Sequence, residues 1–133
     1  NVVQVTNGSG SSMPIGTLVY TSAALTVLSA RANASGTTRP TLGLVADASI
    51  AAAAVGAVAT DGVLNASTAQ WDAVTGQTGG LTTGAYYFLS AATAGWMTST
   101  RPTGAGNYSL KVGLALSTTD LLIDVEDPIL LAA

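Results

Sequence analysis

The sequence predicts an all-β protein, a small β-barrel or sandwich built from two similar tandem β units. Three observations carry that prediction. Ala, Thr, Ser and Gly supply 70 of the 133 residues. Thr fits the pleated strand surface, while Gly and Ser form turns. Short apolar runs are cut at close intervals by Gly, Pro, Asn or Asp, the punctuation of sandwiches and barrels. The run Gly16-Thr-Leu-Val-Tyr20-Thr-Ser22-Ala23 also returns later as Gly84-Ala-Tyr-Tyr-Phe88-Leu-Ser90-Ala91.

Along the chain, residues 1–6 read as a short strand or arm. Residues 7–12 (NGSGSS) read as a flexible link. In an extended arm Val3 and Val5 share one face and Val2 lies on the other. Strand-like runs follow at 16–21, 25–30, 41–45, 57–60 and 62–65, which place a first unit at 13–66. The Ala-rich stretch 49–55 favours helix by propensity, but it is short and flanked by glycine, so a turn is expected. A polar connecting segment, 67–80, carries Trp71. The second unit, 81–133, holds runs at 85–89, 95–99, 110–116 and 121–125.

Further matches keep the same order in both units. Arg39-Pro40 pairs with Arg101-Pro102, and Gly43-Leu44-Val45-Ala46 with Gly113-Leu114-Ala115-Leu116. Asp61-Gly62-Val63-Leu64 pairs with Asp127-Pro128-Ile129-Leu130. Drifting offsets between the matches are what loop insertions produce.

Composition limits the chemistry. The chain contains neither histidine nor cysteine. Ser-His-Asp and Cys-His nucleophile arrangements are therefore impossible, and zinc loses its usual nitrogen and sulfur ligands. Lys111, the single lysine, sits in the strand pattern Leu110-Lys-Val-Gly-Leu114 and is expected to face solvent. Only 8% of residues are charged and the net charge is -3. With Arg31, Arg39, Arg101 and Lys111 scattered, no concentrated basic surface for nucleic acid forms. No run of 18 apolar residues suggests a membrane span, and residues 1–10 lack the pattern of a signal peptide. No cofactor or metal, and no catalytic residue, is expected.

An acidic cluster falls within eight residues: Asp120, Asp124, Glu126 and Asp127. In a strand, Asp120, Leu122, Asp124 and Glu126 share one face, and Leu121, Ile123 and Val125 the other. A solvated outer face is the expectation, with an ion or a partner's arginine as the alternative.

A surface of Ser and Thr rather than Lys and Glu offers little charge repulsion between copies. Burial in an assembly is one way for such a chain to stay soluble. Tyr86, Tyr87 and Phe88 send rings to both faces of one strand, which implies cover on both. The candidate interface residues are Val2, Val3, Val5, Trp71, Tyr86, Trp96, Ile129 and Leu130. Of these, Trp71 reads first as a core residue, with an interface anchor as the sharper alternative.

One resemblance bears on function. The second half opens on Gly80-Leu81, Gly84 and Tyr86-Tyr87-Phe88-Leu89-Ser90. It continues through Ala94-Gly95, Thr98 and Pro102, and closes on Val112-Gly113, Ala115-Leu116-Ser117 and Leu121-Leu122-Ile123. It resembles a module recurrent in virion proteins of tailed bacteriophages. The first half, with PIGTLVYTSA and LGLVADASIAAAAVGAVATDGVL, is similar to capsid decoration (cement) proteins. That resemblance implies a β-barrel or sandwich subunit, homotrimeric, made in the host cytoplasm and seated on the capsid surface of the virion. It implies the major capsid protein and further copies of itself as partners, no nucleic acid or membrane, and no catalytic site. The same module closes tail-fibre and spike proteins, so a fibre or receptor-binding module is the alternative. An Asn1–Thr6 arm would add a strand to a capsid edge.

Overall fold

Alternating apolar and polar residues favour strands along this chain, because one face of each strand can then be buried and the other solvated. The structure, a computed structural model, describes residues 2–33, 41–126 and 129–131. It is an all-β fold with one short helix among the described residues. The strands of the first half are β1 (Val2–Asn7), β2 (Met13–Pro14), β3 (Leu18–Ala23), β4 (Thr26–Ser29), β5 (Thr41–Val45), β6 (Ser49–Ile50) and β7 (Val55–Ala59). Then come β8 (Gly62–Asn65), the helix α1 (Thr68–Thr75), β9 (Tyr86–Leu89), β10 (Met97–Thr98) and β11 (Tyr108–Ser109). β12 (Lys111–Ala115), β13 (Asp120–Ile123) and β14 (Ile129–Leu130) complete the order. The Ala-rich stretch 49–55 is indeed no helix: it turns between β6 and β7.

Two five-stranded sheets carry the architecture. The first is a closed barrel in the order β1-β4-β3-β5-β7, and the second is a sheet in the order β10-β9-β12-β13-β8. Taken strand for strand, the second order repeats the first. β10 stands for β4, β9 for β3, β12 for β5, β13 for β7 and β8 for β1. The registers agree as well. Leu18 pairs with Leu44, Val19 with Gly43 and Tyr20 with Thr41, with a bulge that skips Leu42. Tyr86 pairs with Leu114, Tyr87 with Gly113 and Phe88 with Lys111, with a bulge that skips Val112. Gly16 N–H donates to the Val45 carbonyl and Gly84 N–H to the Ala115 carbonyl.

The matched glycines explain themselves. Gly16 and Gly84 take φ of 87° and 81°, the left-handed region that costs glycine nothing. A side chain on Gly43 would run into the Ala59 carbonyl, and one on Gly113 into the Leu122 carbonyl. Each stands where a neighbouring strand's backbone passes too close for a Cβ.

The interiors correspond too. Val5, Val19, Val27, Val45 and Val58, one from each barrel strand, form the first core with Met13 and Ile50. Ala66, Tyr87, Met97, Ala115 and Leu121 hold the corresponding places in the second core, with Trp71, Val74 and Leu81 added.

These pairings correct the sequence reading in three places. Residues 1–12 do not form an arm on a flexible link. β1 is a barrel strand, antiparallel to β7 over five residue pairs and parallel to β4, and Val5 is buried inside. The link is fastened by buried Asn7, whose Nδ2 donates to the carbonyls of Ser11 (2.7 Å) and Ile50 (2.8 Å). Gly62–Asn65, placed by sequence in a unit ending at 66, pairs with β13 in the second sheet. It therefore matches β1 and not residues 127–130. β14 pairs instead with β11, and Asp127 and Pro128 lie outside the described residues, as do Arg39 and Pro40 of the other match. The segment 67–80 is not merely a connector, because it contains α1.

Helix α1 occupies the place where the two repeats diverge. In the first repeat the chain runs on from β1 beside β4, with Thr6 N–H on the Leu25 carbonyl and Gly8 N–H on the Val27 carbonyl, and closes the barrel. In the second repeat it turns away at Ser67. That residue caps the helix by accepting from Gln70 N–H, while Gln70 Oε1 accepts from Ser67 N–H. Gly76 ends the helix at φ 72°. Among the described residues β8 and β10 do not pair with each other and form the two edges of the sheet, and α1 lies against β10 and β2. Trp71, fully buried, packs beside Gly16 and donates Nε1–H to the Thr119 carbonyl at 2.8 Å.

The repeats join through the outside of the first barrel. Leu18, Leu44 and Ala59 stand in one row across β3, β5 and β7, pointing away from the barrel interior. All three are nevertheless buried, within the same apolar cluster as Trp71, Tyr87 and Leu121. Backbone bonds cross the junction: Leu18 N–H to the Gly95 carbonyl (2.9 Å), Ala32 N–H to Ser90 (2.8 Å) and Tyr108 N–H to Ala32 (2.8 Å).

Candidate functional site

The outer face of the second sheet lines up several exposed apolar side chains in a pattern. β13 reads Asp120-Leu-Leu-Ile123. Leu121 and Ile123 turn inward and are buried, which forces Leu122 outward between carboxylates. Leu122 pairs with Val63 on β8 and with Leu114 on β12, and Leu114 pairs with Tyr86 on β9. The four side chains form one continuous row across four strands. Val63 is 56% exposed, Tyr86 52% and Leu122 38%, with Leu114 partly covered. A solvated antiparallel face ordinarily carries polar residues, and a contiguous apolar row departs from that pattern.

Charges rim the row. Lys111 Nζ sits 4.7 Å from the centre of the Tyr86 ring, 3.1 Å from Glu126 Oε2 and 4.0 Å from Asp124 Oδ2. The hydrogen bond to Glu126 holds the Lys111 ammonium above its ordinary value. Partial desolvation opposes this, and the charges of Glu126 and Asp124 add to it. Across the row, Asp120 accepts from Asn65 Nδ2 at 2.7 Å and from Ser117 Oγ at 3.1 Å. Arg101 covers the Phe88 ring at 5.0 Å. The acidic residues are thus divided, Asp120 at one end and Asp124 with Glu126 at the other. Among the described residues no group of three or more carboxylates could hold a metal ion. Asp127 lies outside the described residues. No described helix is long and apolar enough to cross a membrane.

The structure sorts the expected interface residues. Tyr86 belongs to the row, and Ile129, 61% exposed, lines a cavity beside it with Phe88, Arg101, Lys111 and Glu126. Leu130 is exposed on β14 opposite Tyr108. Val2 is exposed at the end of the first barrel's row, opposite Ala59. Two of them are buried: Val5 fills the first core and Trp71 is core in the second repeat, while Val3 is half-buried against the first core. Trp96, half-buried, lines a cavity at the junction of the repeats with Ser9, Pro14 and Val74. Sequence reasoning did not single out Val63, Leu114 and Leu122, which the strand pairing brings into the row. The signal was present in Leu122, which strand alternation puts on the carboxylate face.

No protein-family model, no curated protein and no solved structure matches this chain.

Proposed function

We propose that this chain is a structural virion protein, a capsid decoration (cement) subunit seated on the outer surface of a phage head. The observation that carries the reading is the apolar row Val63, Leu122, Leu114 and Tyr86, exposed on an otherwise regular sheet. In a chain with 8% charged residues, such a face gains most when another protein covers it. The resemblance to decoration proteins gives that protein a class: the major capsid protein, with further copies of the chain. The nearby ionisable side chains face one another across the rim, as Lys111 does Glu126, an arrangement suited to an interface border. With Val2–Asn7 held in the barrel, attachment runs through surface side chains and not through a donated strand.

The physical effect is linkage. A subunit that binds only the assembled shell stabilises that shell by its binding free energy, and several linked copies raise effective concentration so that weak contacts sum. Electron cryomicroscopy of particles carrying this chain tests the reading. Density for the chain on the outer surface of the head is expected. Density confined to a tail fibre would replace the cement reading with a recognition module.

A further inference from the structure

We infer that the Val63–Leu122–Leu114–Tyr86 row docks a second copy of this chain, head to tail, through that copy's β3–β4 turn at Leu25. The inference rests on the reading of the chain as an assembling subunit, and the chain's own internal junction supplies its template.

The row has a counterpart in the first repeat. By the shared register, Leu18 stands for Tyr86, Leu44 for Leu114, Ala59 for Leu122 and Val2 for Val63. In the first repeat Leu18, Leu44 and Ala59 are buried, because the second repeat covers them. The second repeat offers the same row with no further repeat packed upon it among the described residues. A surface used once inside the chain is therefore presented again at the chain's far end. A repeat that covers its predecessor and is itself left uncovered defines a heterologous contact, which closes as a ring or grows as a filament.

The template also identifies what the incoming copy presents. The second repeat touches the first row through its β9–β10 turn. Gly95 there has φ 80°, its carbonyl accepts Leu18 N–H, and a Cβ on it would meet Thr17 Cγ2 and Ser29 Oγ. The residue in that place in the first repeat is Leu25. It lies two residues before Val27 as Gly95 lies two before Met97, and those two residues hold matched positions, opposite Thr21 and Leu89. Leu25 is an anomaly on its own terms. It has φ 48°, a region that side chains disfavour, and it is 66% exposed. Glycine would relieve the backbone at no cost, whereas leucine there adds an apolar projection. The receiving side compensates, since Thr17 of the first repeat becomes the smaller Ala85 in the second. The Leu25 carbonyl already accepts Thr6 N–H at 2.7 Å, so the side chain, not the backbone oxygen, makes the contact.

The native chain has no cysteine, which makes disulfide trapping a clean test. The variant carrying both Leu25→Cys and Ala85→Cys, oxidised at micromolar concentration, is expected to give a ladder of 13.1 kDa steps on a non-reducing gel. Either single variant should remain at one step, because a head-to-tail contact never brings identical residues together. Leu122→Asp in the double-cysteine background should cut the cross-linked fraction by about ten-fold or more, and Val63→Asp should act alike. No ladder in the double variant, an equal dimer band from one single variant, or a ladder indifferent to both aspartates would overturn the inference. Purified protein suffices, so this result and head occupancy on particles fail independently.

Discussion

The two repeats run the same strand ladder to different ends. In the first, β1 continues beside β4, five valines fill the interior and the barrel closes. In the second, the equivalent strand stops at Asn65. A Ser67-capped helix takes the place of the missing strand pair, and Trp71 and Val74 fill the space. The difference shows that this ladder does not depend on closure. An edge can be satisfied by a parallel strand or covered by an amphipathic helix, and either leaves the β3–β5–β7 pattern intact. The helix also fits the first repeat, since Trp71 and Val74 lie against Gly16. Divergence in the second repeat thus builds the junction with the first.

Substitutions can break the comparison where it predicts a difference and sharpen it where it predicts equality. The largest effect belongs to Trp71→Ala. It removes the largest fully buried side chain and leaves the Thr119 carbonyl without its indole donor. It should cost about 3–5 kcal/mol in urea unfolding; a loss under about 1 kcal/mol would make the helix an ornament. Next come Gly43→Ala and Gly113→Ala. Each added methyl meets a neighbouring strand's carbonyl, so each should cost about 1–3 kcal/mol. The informative result is their similarity, because a tolerated alanine at one site would deny the equivalence of the repeats. Ser67→Ala removes the hydroxyl that accepts from Gln70 N–H, while the backbone N–H at 67 still donates to Gln70 Oε1, and should cost about 1 kcal/mol, with Ser67→Asp largely restoring it. The smallest effect is electrostatic. The Lys111 ammonium is held above its ordinary 10.5 in the folded chain. Its contribution to stability is therefore complete below pH 10.5 and fades as pH rises through the folded value. Lys111→Met should remove that alkaline slope in thermal melts and lower the midpoint at neutral pH by no more than the small drop that the slope spans.

Much of this architecture was legible in the sequence because its signals are local. Glycine at 16 and 84, and at 43 and 113, marks turns and close strand approaches, so the matched motifs exposed the duplication. The frame of the repeat was not legible. Gly62–Asn65 begins shortly after β7 ends, which reads as one more strand of the same unit. Its partner in β13 lies far along the chain, and no local pattern announces a pairing at that separation. For the same reason β1 read as an arm, since its partner β7 is also distant. Helix α1 was overlooked because its apolar face is only Trp71 and Val74, although Ser67-x-x-Gln70 and Gly76 were available as cap signals. At the surface row, alternation placed Leu122 correctly beside Asp120 and Asp124. What alternation could not supply was the register that lines up Val63, Leu122, Leu114 and Tyr86, and a surface formed by four strands exists only through that register.

The central claim is that a row buried once within the chain is exposed again for assembly. Light scattering of the purified chain at micromolar concentration, beside its Leu122→Asp variant, tests this most directly. The account predicts a wild-type mass that is a multiple of 13.1 kDa, three-fold if the likeness to trimeric decoration proteins holds, and a folded variant at 13.1 kDa. A wild-type chain that stays at 13.1 kDa, or a variant that assembles as the wild type does, would contradict it.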